Sequence, residues 1–138
     1  MRRINEIIVH CTATEQGKDY HAADINRWHN QRGFAGIGYH FVVCLDGTIE
    51  AGRPISKPGA HCKAHNAESI GIAYVGGNKG YYPADTRTDA QKAALEGLIR
   101  TLLHCYPTIN RITAHRDYNP MKACPSFDAT LEYHHLLK

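Results

Sequence analysis

Hydrophobic and polar positions along this chain follow two periods, and the switches between them outline its elements. Glu6–Cys11 (EIIVHC), Gly38–Leu45 and Ser69–Val75 are short, β-branched apolar runs of strand length, each bounded by polar or turn residues. Asp46-Gly47 stands between Gly38–Leu45 and Thr48–Arg53 and predicts a hairpin. Elsewhere the period lengthens. Ala22, Ile25 and Trp28 fall at helical spacing within 21–32, with Asp19 as the expected cap and Gly33 as the stop. The strongest helix begins at Thr88-Asp-Ala-Gln91, which has the form of a capping box. Ala94, Leu95, Leu98, Ile99, Leu102 and Leu103 then repeat on one face until Pro107. Arg111–His115 is another short strand. Ser126 is expected to cap a last helix reaching Leu137, with Phe127, Leu131 and Leu137 packing inward. This order predicts one α/β domain over residues 1–138, a central mixed β-sheet flanked by about three α-helices.

Composition narrows the function. A chain of 138 residues with 43% hydrophobic and 21% charged content can bury its own core. The net charge of +3 favours approach to an anionic surface such as a cell wall. No basic cluster interleaves with aromatics, so no nucleic-acid partner is expected. No segment is long enough to span a membrane, and a monomer is expected. Arg2 and Arg3 precede only Ile7-Ile8-Val9 before a histidine, so the expectation is cytoplasmic synthesis without a signal peptide. Cys11, Cys44, Cys62, Cys105 and Cys124 form no even framework and read as reduced thiols.

Ten histidines are many for this length, and histidine is the commonest metal ligand. Two of them, His10 and His115, close apolar strands, where a sheet meets its loops. Cys124 follows His115 closely, with Lys122 and a helix start nearby to favour a thiolate. Two imidazoles and a thiolate suit Zn²⁺ with one position open for water. A structural zinc would want a fourth protein ligand, for which Asp117 is the nearest candidate.

Several segments also carry a resemblance. Val9–Thr14 (VHCTAT), Gly38–Phe41 (GYHF), Asp46–Arg53 (DGTIEAGR), Gly59–His61 (GAH), Ser69–Ile72 (SIGI), Val75–Gly77 (VGG), Thr113–His115 (TAH) and Lys122–Asp128 (KACPSFD) occur in one order across nearly the whole chain. In this it resembles the zinc-dependent N-acetylmuramoyl-L-alanine amidases of phage-lysozyme (T-seven) type, relatives of the peptidoglycan recognition proteins. The resemblance implies zinc on His10, His115 and Cys124, and catalytic roles for Tyr39 and Lys122. It implies a peptidoglycan or muropeptide substrate, cut between N-acetylmuramic acid and the L-alanine of the stem peptide, with the cell wall as the site of action for an endolysin or secreted effector and wall fragments as the substrate for a cytoplasmic recycling enzyme. The alternative is a non-catalytic peptidoglycan-binding module of the same fold. His61 and Asn66, in the loop over 54–68, are candidate substrate-binding residues, and His40 is expected to face away from Tyr39. Trp28 is expected in the helix core, with His29 near the groove, and Cys11 as buried packing. Cys44, Cys62 and Cys105 receive no role.

Overall fold

The computed structural model describes residues 2–137; Met1 and Lys138 lie outside the described residues. In chain order the elements are β1 (Glu6–Cys11), β2 (Thr14–Glu15), α1 (Ala22–Gln31), β3 (Phe41–Val43), β4 (Ile49–Ala51), β5 (Ser69–Tyr74), β6 (Gly77–Lys79), β7 (Tyr82–Pro83), α2 (Asp89–Cys105), β8 (Arg111–Ala114), α3 (His115–Tyr118) and α4 (Ala129–Tyr133), the last running into a 3₁₀ turn over His134–Leu136. Five strands form the main sheet in the order β4-β3-β5-β1-β8, with β4 antiparallel to β3 and the other pairs parallel. This is the mixed α/β architecture that the periodicity predicts. A second, three-stranded sheet, β2-β6-β7, is an addition. Its strands have two or three residues each and carry no apolar alternation to announce them.

Two crossovers set the layers. The chain passes from β1 through α1 to β3, stepping over β5, and from β5 through α2 to β8, stepping over β1. These steps run in opposite directions along the sheet, so a shared right-handed sense puts the helices on opposite faces. Alternation in the strands matches. Ile7, Val9, Ile70, Ile72 and Ile112 pack with Leu95, Ile99 and Leu102 of α2, and α4 adds Ala129 and Tyr133 to that core. Val42 points the other way and joins Ile25, Ile37 and Val75 under α1, with Trp28 half-buried at its margin. Every residue of β1 and β5 is buried, as parallel strands covered on both faces require.

The helix ends depart from expectation in instructive ways. His21, not Asp19, is the N-cap of α1; the Asp24 carboxylate accepts its backbone N–H at 2.9 Å, and Glu50 from β4 accepts the Ala22 N–H at 2.7 Å. Asp128, not Ser126, caps α4 by accepting the Leu131 N–H. Ser126 has a φ of 71° and its hydroxyl donates to the Gly77 carbonyl at 3.0 Å. Leu131 is 76% exposed and does not pack inward. Thr88 and Gln91 form the expected capping box of α2, and Gln91 also donates to the Val43 and Val75 carbonyls.

Candidate metal centre

Parallel strands β1 and β8 end side by side, and their C-terminal ends carry His10 and His115. Open α/β sheets collect ligand-binding groups at such strand ends, next to the strand where the crossovers diverge. The loop before α4 brings Cys124 to the same place. Three contacts hold it: the Arg116 N–H donates to the Cys124 carbonyl at 2.9 Å, the Cys11 N–H to Cys124 Sγ at 3.1 Å, and the buried Tyr74 hydroxyl to the Pro125 carbonyl at 2.7 Å. One donor atom from each of His10, His115 and Cys124 lies within 4.8 Å of the others. Asp117 is not in the group. Its carboxylate accepts from the Ala114 N–H and the Thr130 hydroxyl.

The tautomer of His10 can be read from its neighbours. Ser69 Oγ donates to the His65 carbonyl at 2.6 Å, so towards His61 Nε2, at 3.2 Å, it can only accept. His61 therefore carries its proton on Nε2 and presents a bare Nδ1. That atom accepts from His10 Nε2 at 2.8 Å. His10 Nδ1 is left with a lone pair, fully buried and without a hydrogen-bond partner. A buried acceptor without a partner costs about 1–3 kcal/mol, and a cation between the three donor atoms would satisfy it. The residues present thus fit a zinc ion.

Protonation states agree for the histidines. Burial first, then His61 and His115, holds His10 well below the ordinary imidazole range, and burial followed by Lys122 lowers His115. Both are neutral near pH 7, the form that binds metal. Cys124 departs from the expectation of a thiolate. Its contact with the Cys11 thiol and then burial push it up, while Lys122 pulls it down. Without a cation it stays a thiol, 3.7 Å from the Cys11 carbonyl. The expected helix start at Ser126 does not exist to counter this.

A cleft of about 440 Å³ opens over the cluster, bordered by Tyr39, His61, Asn66, His115, Lys122 and Cys124, with His29 of α1 and its C-cap Arg32 on one wall. His10 itself is fully buried beneath the floor. Tyr39 leans on it with ring centroids 5.1 Å apart. Burial, followed by the two cysteines, raises the Tyr39 phenol far above its usual value, so it remains a neutral donor. Lys122 is exposed at the rim. His40 faces away, as expected, its Nδ1 accepting from the Gly71 N–H and its Nε2 donating to the Lys57 carbonyl.

His61 and Asn66 border the cleft but are engaged within the protein. Both ring nitrogens of His61 are bonded as above, and Asn66 Oδ1 accepts from the His61 and Cys62 N–H groups. His61 reaches His10 because position 71 has no side chain; a Cβ there would lie 2.6 Å from the imidazole. Ser69 is the residue that sequence reasoning overlooked. Its signal is Gly71, a glycine inside an otherwise β-branched strand, which marks a close approach of another group. Cys11 joins the core on the α2 side and also borders the cleft through the end of its strand.

Known proteins share this arrangement of sequence and fold. Residues 1–127 match the family described as N-acetylmuramoyl-L-alanine amidase. The endolysin of Enterobacteria phage K11 is 42% identical over 126 residues, covering 90% of this chain and 82% of the relative. The endolysin of Escherichia phage T7 is 43% identical over 124 residues, covering 88% and 80%. Among solved structures, the N-acetylmuramoyl-L-alanine amidase LysC from Clostridium intestinale superposes with a TM-score of 0.83 at 33% identity, over 99% of this chain and 88% of its own. The chain belongs to the N-acetylmuramoyl-L-alanine amidase family.

Proposed function

We propose that this chain is a zinc-dependent peptidoglycan hydrolase that cuts the amide between N-acetylmuramic acid and the L-alanine of the stem peptide, acting on the cell wall as an endolysin. The observation that carries the zinc requirement is the bare, buried Nδ1 of His10 beside His115 and Cys124 under an open cleft. These three residues would hold the ion, with Asp117 engaged elsewhere and no fourth protein donor grouped with them among the described residues. When bound, zinc supplies Lewis acidity, polarising the amide carbonyl and lowering the pKa of water.

The remaining steps belong to the protein. Lys122, at the rim, places a cationic N–H donor where the carbonyl oxygen gains negative charge, stabilisation that matters most in the transition state. Tyr39 stays protonated and orients the attacking water or hands a proton towards the departing amine. Simple proton abstraction does not suit a phenol whose pKa burial raises. Arg32, Lys63 and Lys122 make the rim basic, which suits a stem peptide bearing carboxylates. A binding-only module has no need of the complete ligand set. The test is digestion of purified peptidoglycan with mass spectrometry of the muropeptides and metal analysis of the enzyme. New alanine amino termini, lost on chelation and restored by zinc, support the reading. Reducing sugar ends, or activity indifferent to chelation, overturn it.

A further inference from the structure

A second cluster of donor atoms lies at the opposite end of α1 from the cleft. His29 and Arg32 border the cleft, whereas His21 precedes the helix, roughly 12 Å away along the axis at 1.5 Å per residue. His21 Nδ1 is 2.9 Å from Glu50 Oε2 and 3.6 Å from Cys44 Sγ. One donor atom from each of the three residues lies within 4.8 Å of the others. The nitrogen–sulfur spacing is that of neighbouring ligands around a tetrahedral zinc, whose bonds are about 2.0–2.3 Å, and the nitrogen–oxygen pair would open by about 0.4 Å to match.

Two further observations point to a cation. The far ring nitrogen of His21, Nε2, lies 3.3 Å from Asp19 Oδ1. A carboxylate on the outer nitrogen is the usual partner of a metal-bound histidine; the inner nitrogen, which donates to Glu50 in the metal-free chain, would exchange that proton for the ion. Charge is also unbalanced. Two carboxylates, Asp19 and Glu50, stand against the single imidazole of His21. Cys44 is 1% exposed, yet its sulfur faces a carboxylate and an imidazole. Glu50 can serve both neighbours, since Oε1 caps α1 through the Ala22 N–H and Oε2 is turned to the cluster.

We propose that His21, Cys44 and Glu50 form a second site for a divalent metal of zinc type, with Asp19 orienting the imidazole. The ion joins the segment before α1 to the β3–β4 hairpin and so staples the helix whose other end borders the cleft. Three protein ligands leave a position for solvent, and His21 is 45% exposed at its side chain, so this ion exchanges more readily than one held at the buried His10 cluster.

The test is metal stoichiometry of the full chain titrated with zinc chloride in mildly alkaline buffer, read by native mass spectrometry, with Co²⁺ as a spectroscopic substitute. Two ions per chain are expected, falling to one in both Cys44→Ser and His21→Ala, each of which retains wall-degrading activity. In Cys124→Ser, a thiolate-to-Co²⁺ charge-transfer band should remain and should vanish when Cys44→Ser is added. One ion per chain in the unaltered protein, or a second ion that survives both single substitutions, overturns the proposal. Loss of the ion at His10, His115 and Cys124 would bear instead on the proposed activity, so the two failures are distinguishable.

Discussion

Replacing His61 separates a tautomer-fixing role from a packing role. The His10 Nε2–H is fully buried and has one acceptor, His61 Nδ1 at 2.8 Å. Removing that acceptor leaves a buried donor unsatisfied, at about 1–3 kcal/mol. It also frees the His10 proton to move to Nδ1, the atom that the proposed zinc needs bare. Loss of the partner behind a metal-bound histidine typically weakens metal binding about 10–100-fold, or about 1.4–2.7 kcal/mol, which agrees with the cost of the unpaired donor. His61→Leu and His61→Gln both remove the ring from above Gly71, so the difference between them isolates the hydrogen bond. Glutamine can still accept from His10 and donate to Ser69. Zinc affinity measured by competition with a chromophoric chelator should fall at least about tenfold further in His61→Leu than in His61→Gln. Nitrogen-15 spectra of the metal-free protein should show His10 protonated on Nε2 in the unaltered chain and in His61→Gln. Equal affinities for the two variants, or a His10 proton on Nδ1 in the unaltered chain, would refute the reasoning.

Other expectations follow from the same contacts. Lys122→Met should keep its zinc, measured by metal analysis, while turnover of muropeptides falls about 10²–10³-fold, the loss typical of one oxyanion donor. His40, with a pKa lowered to about 4 by burial and then by Arg2 and Arg53, resists protonation only when folded. Its contribution is complete above about pH 6.5 and is lost as pH falls towards 4, so about 2 kcal/mol should disappear between pH 7 and pH 5. Urea unfolding at both pH values should show that slope, flattened in His40→Gln. Arg87, whose side chain is 3% exposed, bridges Asp85 and Glu132 and lies 3.4 Å above the Phe127 ring. Arg87→Met should lower stability by about 2–3 kcal/mol, below the figure for a fully buried pair because both carboxylates are partly exposed. Denaturant midpoints measure it.

The long periodic elements were legible because their burial is one-sided or complete over several residues. β1, β5 and α2 follow directly from runs such as Glu6–Cys11 and Ala94–Leu103. His10 and His115 could be suspected from their places at strand ends. What escaped depends on groups far apart in sequence. Glu50 caps α1 from a hairpin 28 residues downstream of Ala22, and nothing near Asp19 announces it. The Ser69–His61–His10 chain links three segments through polar atoms that follow no period. Ser126 looked like a cap because its residue type is right, yet its backbone is left-handed rather than extended and its hydroxyl is spent on the Gly77 carbonyl.

The three clustered donors stand at positions 10, 115 and 124, and β1 pairs with β8 across the length of the domain. A ribosome-bound nascent chain that has exposed β1, α1 and the β3–β4 hairpin still lacks two of the three groups that would grip the ion. Metal capture on this reading waits until His115 and Cys124 have both been made, and a fragment released before β8 would lack two of the three ligands and the hydrolytic power proposed for them.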